Sequence, residues 1–281
     1  INLGAAIESG VQSLKAVPGW LWILHDDSAP EPTALQMLAS AAELSPSVAI
    51  VGPKLLEWGN EIQIQQLGIT VTPTGKPFLL VDNQYDQGQH DDSRDTLAVS
   101  TAGMLVAGGL WQKLGGLNDT APLFAQDIEF CAQARVAGFR VVVEPRARVL
   151  HAGLSMQQAR TRKWLGGSRT QALSKAHVHL AGILAPAMPL PLMYLALPLV
   201  ALISIPQNLI TKKPSRIFGQ FAAWLWAWFT VGSRLRARKR VRGVGKIRPL
   251  RDFLATRAQR KKRREAKFEY VIEAQESTAK G

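Results

Sequence analysis

Three segments of this sequence contain acidic residues or a histidine whose types and order suit metal and proton chemistry. His25-Asp26-Asp27 directly follows a short apolar run; Asp127 opens an amphipathic helical pattern about a hundred residues later, and His151 comes after it. Carboxylate oxygens bind hard divalent cations, and imidazole is an acceptable ligand for manganese. A carboxylate at a helix start is favoured in its ionised form and can accept a proton. Asp26 and Asp27, completed by His25 or His151, are therefore a candidate metal site, and Asp127 is a candidate general base.

Each of these residues also has a purely structural interpretation. Asp26 and Asp27 precede Ser28-Ala29-Pro30, so they could form only a turn and a helix cap. Asp127 could be no more than an acidic first-turn residue. His151 could be a buried histidine with satisfied polar atoms. From residue types alone, these alternatives stay open.

The elements that must position these residues follow an alternating pattern up to about position 155. Strand patterns cover Trp20–Leu24, Val48–Val51, Ile62–Val71, Leu97–Val106 and Phe139–Val143. Helical patterns cover Gly4–Lys15, Glu31–Glu43, Gly108–Leu114 and Gln126–Ala137. This alternation predicts the α/β class, with a mixed or mainly parallel sheet flanked by helices. In such sheets ligands collect at the carboxyl ends of strands, where Asp27 falls.

Taken together, these segments resemble family-2 glycosyltransferases, inverting enzymes with a GT-A fold, and especially rhamnosyl- and galactofuranosyltransferases of bacterial cell envelopes. The matching segments are Leu24–Asp27, Ser100–Val106, Leu114–Asp119, Gln126–Cys131 and the strand from Gly138 through Pro145 to His151. The resemblance covers residues 1 to about 155. It implies sugar transfer from a nucleotide-diphosphate donor, with a divalent metal, Mn²⁺ or Mg²⁺, as cofactor.

The resemblance also assigns roles to individual residues. It implies that Asp127 is the catalytic base and that the metal ligands are Asp27, His25 and His151. Contacts with donor or acceptor are expected from Asp26, Thr101, Gly103 and Gln126. His25 stands where the family usually has the first Asp of its Asp-x-Asp motif, so a different metal preference is expected. Gln126 replaces the usual Glu before the base.

The start of the sequence departs from the family pattern. The family's first strand and loop, which recognise the nucleotide base, should precede Asn2–Ala6 and do not occur in this sequence. The sequence also begins at Ile1 rather than at Met. We therefore expect the chain to be a fragment of a longer protein.

The net charge of +13 is concentrated near the carboxyl end. Between Arg234 and Lys267 there are 16 Lys or Arg and 2 Asp or Glu, so this run carries +14 and the rest −1. Such a run beside apolar segments predicts contact with anionic lipids on the cytoplasmic side of a membrane. A solvated helix face is the alternative. Nucleic-acid binding is not favoured, because the run lacks interleaved aromatic residues. The single cysteine, Cys131, excludes an intrachain disulfide and is expected to be a buried, inert thiol.

An uncharged stretch precedes the basic run. Residues 176–211 contain no Asp, Glu, Lys or Arg. Within and after this stretch, Leu180–Ile205 and Ile217–Gly232 are predicted to form a membrane hairpin or re-entrant segments. A buried helical pair in a soluble protein is the alternative. His177 and His179, beside the first segment, are expected at the membrane interface. The predicted organisation is a GT-A domain (1–155), a linker (156–179), a membrane hairpin (180–232) and a basic cytoplasmic tail (233–281).

Three functions compete for this sequence. The first is a metal-dependent inverting glycosyltransferase at the inner face of a bacterial plasma membrane, acting on a lipid-linked or polysaccharide acceptor. The second is a non-catalytic, membrane-anchored scaffold derived from such an enzyme, motivated by His25 and the missing upstream strand. The third is a glycoside hydrolase using Asp27 and Asp127, which would need its carboxyl groups about 5 to 9.5 Å apart and no metal.

Overall fold

The structure, a computed structural model, describes residues 3–91, 95–154, 169–184, 190–210, 214–244 and 248–261. The helices are α1 (Leu3–Gln12), α2 (Ala34–Glu43), α3 (Gly108–Leu114), α4 (Gln126–Val136), α5 (Arg169–Leu184), α6 (Leu190–Ile210), α7 (Pro214–Phe229) and α8 (Val231–Gly243), with a 3-10 turn at Arg248–Phe253. The strands are β1 (Trp20–Trp22), β2 (Ser28–Pro30), β3 (Val48–Glu57), β4 (Asn60–Val71), β5 (Pro77–Val81), β6 (Gln84–Tyr85), β7 (Leu105–Ala107) and β8 (Arg140–His151).

The sheet is mixed and is organised around β3. Strand β8 runs parallel to β3 along its length, from Val48 beside Arg140 to Glu57 beside His151. On the other side, the first half of β3 pairs with antiparallel β7 and the second half with antiparallel β4. Strand β1 extends the sheet beyond β7, and β5 extends it beyond β4. The predicted mixed α/β sheet is confirmed.

The buried faces of these elements explain why they form. In β3, every residue from Val48 to Leu56 is buried, as expected for a central strand covered on both faces. Helix α4 is also enclosed: all of its residues are buried except Asp127, which is partly exposed. A helix buried on all sides needs neighbours all round, and those neighbours include α3, β8 and α8.

Most predicted elements up to position 155 are present with shifted ends. The prediction of a strand at Leu97–Val106 is wrong over most of its length, because only Leu105–Ala107 forms a strand there. The residues before this strand run through the core and form only isolated bridges, such as the one between Ala98 and Ile69. Strands β2, β5 and β6 were not predicted.

Helix α5 shows that the region after the sheet is not a separate layer. Its Ala176, Leu180 and Ile183 belong to the same apolar core as Ile128 and Phe130 of α4. The part of the predicted linker that the structure describes is therefore helical and packed on the core, whereas 156–168 lie outside the described residues.

The turn between β4 and β5 also packs against α5. Gly75 in this turn has φ +83°, and a Cβ there would lie 2.3 Å from the Cα of Ala181. Glycine is thus needed both for the backbone conformation and for the close approach of the helix. Thr74 O lies 3.2 Å from Nε2 of His177, so α5 meets this turn along one side.

The described part of the predicted membrane hairpin consists of the end of α5, then α6 and α7, and α7 packs against both of the others. Across residues 169–184, 190–210 and 214–244, no helix combines the length and the apolar character needed to cross a membrane. The prediction of a transmembrane helix is thus not supported.

Helix α8, at the start of the predicted basic tail, is partly internal. Ala237 and Val241 lie in the core with α4. Arg234 is 2% exposed. Its Nε donates to the Tyr194 hydroxyl at 2.7 Å, and its guanidinium lies 4.8 Å from the centre of the Trp226 ring. Arg234, the first cation of the basic run, therefore links α8 to α6 and α7. Residues 262–281 lie outside the described part.

Candidate active site

The loop after β1 and the end of β8 are held side by side, which brings the predicted metal ligands together. Ser28 pairs with His151 in the β2–β8 ladder. The Ala152 amide donates to the Asp27 carbonyl at 2.9 Å. Residues far apart in the sequence thus meet at the carboxyl end of a strand, as predicted.

His25, Asp27 and His151 form a compact group of possible ligands. One nitrogen or oxygen from each lies within 4.8 Å of the others. The nearer pair is His151 Nε2 and Asp27 Oδ1, 3.3 Å apart, and His25 Nδ1 is 3.9 Å from the same oxygen. The Asp27 side chain is only 6% exposed. This spacing allows one small cation to touch all three side chains.

The opposite nitrogen of each imidazole is tied to a neighbouring polar side chain. His25 Nε2 lies 2.9 Å from the Thr101 hydroxyl. His151 Nδ1 lies 2.6 Å from Gln65 Oε1, an acceptor, so this nitrogen donates its proton. The lone pair of His151 is then on Nε2, facing Asp27. That arrangement orients the ring as metal sites require.

Two further observations fit a bound cation. His151 Nε2 is buried and makes no hydrogen bond to any residue in the described ranges, despite the nearby Asp27 oxygen. Burial lowers the pKa of both His25 and His151, which favours the neutral form that can donate a lone pair. The other carboxylate oxygen, Asp27 Oδ2, accepts the Leu154 amide at 2.6 Å. The side chains therefore fit the predicted divalent metal site.

Beside this group lies an open cavity of about 440 Å³ that Asp26 and Asp27 both line. The remaining lining residues are Glu57, Trp58, Ala152 and Leu154. Asp26 is exposed, unlike the Asp27 side chain. Asp26 can therefore meet a molecule that enters the cavity, in keeping with its predicted contact with substrate.

Asp127 lies in the first turn of α4, where its Oδ1 accepts the Ile128 amide at 2.9 Å. Burial raises the pKa of Asp127 to about 6, and the amide hydrogen bond opposes this shift only in part. A carboxylate with a pKa near 6 is a stronger base than an ordinary one and remains ionised at neutral pH. Its environment suits the predicted catalytic base.

One turn further along the same face of α4, Cys131 hydrogen-bonds with the main chain of Val99. Val99 lies two residues before Thr101, which contacts His25. Burial raises the pKa of Cys131 to about 12, so the thiol stays protonated, as expected for an inert cysteine. The start of α4 is thus anchored on the segment that also supports the metal ligands.

The structure gives Gln126 and Gly103 packing roles. Gln126 is 4% exposed, and its amide donates to the carbonyls of Asn118 at 3.1 Å and Ala121 at 3.4 Å. A Cβ on Gly103 would lie 2.5 Å from Cγ of Pro53. These contacts favour roles in fixing the loop before α4 and in close packing. Substrate contact by either residue stays a prediction.

No role was assigned to Gln65 or Glu129 from the sequence, and His179 was expected at a membrane interface. Gln65 supports His151 from β4, and no local motif marks it. Glu129 and His179 are fully buried, with His179 Nε2 2.7 Å from Glu129 Oε2. The prediction that His179 sits at a membrane interface is therefore wrong. No local pattern marks Glu129 as buried, because the same helix also carries Gln126, Asp127, Gln133 and Arg135.

Comparison with known proteins identifies relatives of this chain. The model of the family described as "Glycosyltransferase like family 2" matches residues 4–173. The O-antigen biosynthesis protein RfbC of Myxococcus xanthus is 28% identical over 137 residues, which is 47% of this chain and 10% of that protein. This chain thus spans about a tenth of the length of that curated relative.

Two solved structures are also similar. One is GalNAc-T7 with UDP, GalNAc and Mn²⁺ (TM-score 0.46, 13% identity), which covers 66% of this chain and 35% of that chain. The other is the mannosyltransferase PcManGT from Pyrobaculum calidifontis with GDP-Man and Mn²⁺ (TM-score 0.40, 15% identity), with coverage of 79% and 66%. The family match extends over more than half of the 281 residues and contains all the predicted site residues. This chain belongs to glycosyltransferase-like family 2.

Proposed function

We propose that this chain carries out inverting, metal-dependent transfer of a sugar from a nucleotide-diphosphate donor to an acceptor hydroxyl. The observation that carries the proposal is the His25, Asp27 and His151 group, in which a buried imidazole nitrogen faces a carboxylate without a hydrogen bond. A divalent cation held there would neutralise charge on the diphosphate leaving group. The named structural relatives contain UDP or GDP-Man with Mn²⁺.

The remaining roles belong to the chain's own side chains. Asp127 accepts the proton of the acceptor hydroxyl as that oxygen attacks the sugar, and its environment keeps it ionised above about pH 6. Asp26, at the cavity edge, contacts the sugar-phosphate part of the donor. Thr101 orients His25 through their 2.9 Å contact.

The acceptor is proposed to be lipid-linked or a cell-wall polysaccharide, reached at the inner face of a bacterial plasma membrane. Support comes from α6, where Leu195, Leu199 and Ile203 are 68%, 61% and 71% exposed and recur at helical spacing. On α7, Phe229 is 87% exposed. Exposed apolar side chains of this kind suit an interfacial contact with acyl chains. The relative RfbC is named for O-antigen biosynthesis.

Basic residues beside this apolar surface support an anionic membrane as its partner. On α8, Arg236, Lys239 and Arg240 are exposed, whereas Arg234 is internal. Anionic headgroups attract each such cation by about 1 kcal/mol near the surface. The positive run would place both the tail and the catalytic part on the cytoplasmic side.

The test of the reaction is donor binding by the full chain, and by a version extended at its amino end, against UDP-, GDP- and dTDP-sugars with and without Mn²⁺. Binding of one donor that needs Mn²⁺ and is lost in Asp27→Ala is the expected result. Transfer to an acceptor should then disappear in Asp127→Asn while donor binding persists. Failure of every donor to bind would favour the scaffold alternative.

A further inference from the structure

Glu129 is a fully buried carboxylate on the catalytic helix, and it is held by donors from three places. Its Oε1 accepts from Asn118 Nδ2 at 2.9 Å and from Gln133 Nε2 at 3.5 Å. Its Oε2 accepts from His179 Nε2 at 2.7 Å, and neither Glu129 nor His179 has any solvent exposure. A carboxyl group taken out of water in this way needs several hydrogen bonds to be tolerated.

The three donors belong to different structural elements. Asn118 lies in the loop before α4, and its own Oδ1 accepts from the amide and the hydroxyl of Thr120. Gln133 lies one turn further along α4. His179 belongs to α5, whose neighbouring residues Ala176 and Leu180 pack into the core. Glu129 therefore connects the loop, the catalytic helix and α5 at a single point.

Glu129 and Asp127 occupy opposite sides of the same helical turn. Two residues along an α-helix correspond to a rotation of about 200°. Asp127 keeps some exposure on one side, while Glu129 faces α5 on the other. Because the two residues share one turn, a displacement of the Glu129 backbone would also displace Asp127.

A buried pair of this kind is not explained by stability alone, because an apolar pair of similar volume usually serves at least as well. His179 Nδ1 is also buried without a hydrogen bond to the described residues. An unpaired buried nitrogen is unfavourable. What the imidazole supplies that an apolar side chain lacks is a directed hydrogen bond to one oxygen of Glu129.

On the basis of the proposed function, we propose that His179 is a positioning residue for glycosyl transfer, fixing through Glu129 the first turn of α4 and hence the direction of Asp127. His179 lies beyond residue 173, where the family match ends, so this contact is supplied by the chain's own carboxyl-terminal helices. It gives those helices a part in catalysis besides any contact with a membrane.

The test compares His179→Ala and His179→Phe with His179→Gln, which keeps an N–H donor. We expect kcat to fall by up to about 100-fold in the Ala and Phe variants, since a displacement of about 1 Å has effects of this size. The donor KM should stay unchanged, and His179→Gln should recover most of the rate. The matched control is His177→Gln on the same helix, which should behave as wild type.

Amide hydrogen exchange over residues 126–136 gives a readout independent of activity. Exchange in the first turn of α4 should be faster in His179→Ala and His179→Phe than in the control. Unchanged exchange, or kcat within twofold of wild type in both variants, would overturn the proposal. If the Ala variant does not fold, the cycle formed by Glu129→Gln, His179→Phe and the double variant decides, because independent effects on kcat would exclude a joint role. Absence of transfer by the wild-type chain counts against the proposed function, and the exchange result still decides whether His179 fixes α4.

Discussion

The imidazole rings of His25 and His151 pack edge to face, with centroids 5.5 Å apart and planes inclined by 62°. This arrangement directs one nitrogen of each ring toward Asp27 and the other toward Thr101 or Gln65. The resulting donor set is two neutral imidazoles and one carboxylate. Mg²⁺ prefers oxygen ligands and dehydrates reluctantly, whereas manganese accepts imidazole.

Metal preference is the first prediction. The wild-type chain should bind Mn²⁺ more tightly than Mg²⁺, and His25→Asp should narrow this difference by on the order of tenfold, because an imidazole is replaced by oxygen ligands. Isothermal titration of the full chain with each metal measures both affinities. Equal affinities in the wild type, left unchanged by the substitution, would contradict the assignment of His25 as a ligand.

The second prediction concerns Gln65. Gln65→Met removes the acceptor for His151 Nδ1, so Mn²⁺ affinity should fall by about 10- to 100-fold, the usual effect of losing such a supporting contact. Gln65→Glu keeps the acceptor but loses the amide donor to Glu57 and to the His151 carbonyl, so a smaller loss of affinity is expected. Gln63→Met, two residues earlier on the same strand, is the control. A Gln65→Met variant with unaltered affinity would show that His151 needs no such support.

The third prediction is the pH dependence of transfer. Asp127 must be ionised to accept a proton, and burial raises its pKa to about 6, so kcat should rise with pH through about 6. Asp127→Asn should lower kcat by about 10²- to 10⁴-fold, as expected on loss of a general base. Rate measurements from pH 5 to 8 test this. A flat profile would assign proton acceptance to another group.

The fourth prediction is the effect of Asp127 on stability. Its folded pKa lies above the unfolded value, so its stabilising contribution is present at acid pH and is lost as pH rises through about 6. Asp127→Asn, which stays neutral, should therefore melt at or above the wild-type temperature at pH 8. At pH 4 the difference in melting temperature between the variant and the wild type should become smaller. Thermal melting at the two pH values checks the sign, and a large loss of stability at pH 8 would contradict it.

The fifth prediction concerns the apolar surface of α6. The double variant Leu195→Glu, Leu199→Glu should abolish binding to vesicles that contain anionic lipids, because two exposed apolar contacts become charged. Leu44→Glu is a matched control, since Leu44 is 72% exposed at the end of α2. Vesicle flotation measures the bound fraction. Binding by the double variant at the wild-type level would exclude this face as the docking surface.

The residues of the candidate metal site could be predicted from the sequence, because metal-binding side chains collect at strand ends, where local patterns are informative. His25 and Asp27 follow β1, and His151 ends β8. Gln65 could not be found in the same way, because it reaches His151 only through the pairing of separate strands. The contact between Glu129 and His179 likewise depends on how α5 packs, which no local pattern contains.

Other differences from the prediction have equally physical causes. The run Leu97–Val106 is apolar because it crosses the core, and an apolar run does not by itself distinguish a strand from a buried irregular segment. Gly103 was expected near the substrate, yet close packing with Pro53 already requires a glycine there. The end of α5, from Leu180 to Leu184, was expected in a membrane hairpin, whereas Leu180, Ile183 and Leu184 are buried in the core together with residues of α4.

The burial of Arg234, Ala237 and Val241 bears on how the protein can be divided. A shortened version that stops at residue 155 or 173 would uncover the side of α4 against which α5 and α8 pack. Such a truncation would lose the imidazole that contacts Glu129 as well as apolar core contacts. A stable catalytic part therefore has to be expressed together with these carboxyl-terminal helices, and replacing them would change the packing around the helix that carries Asp127.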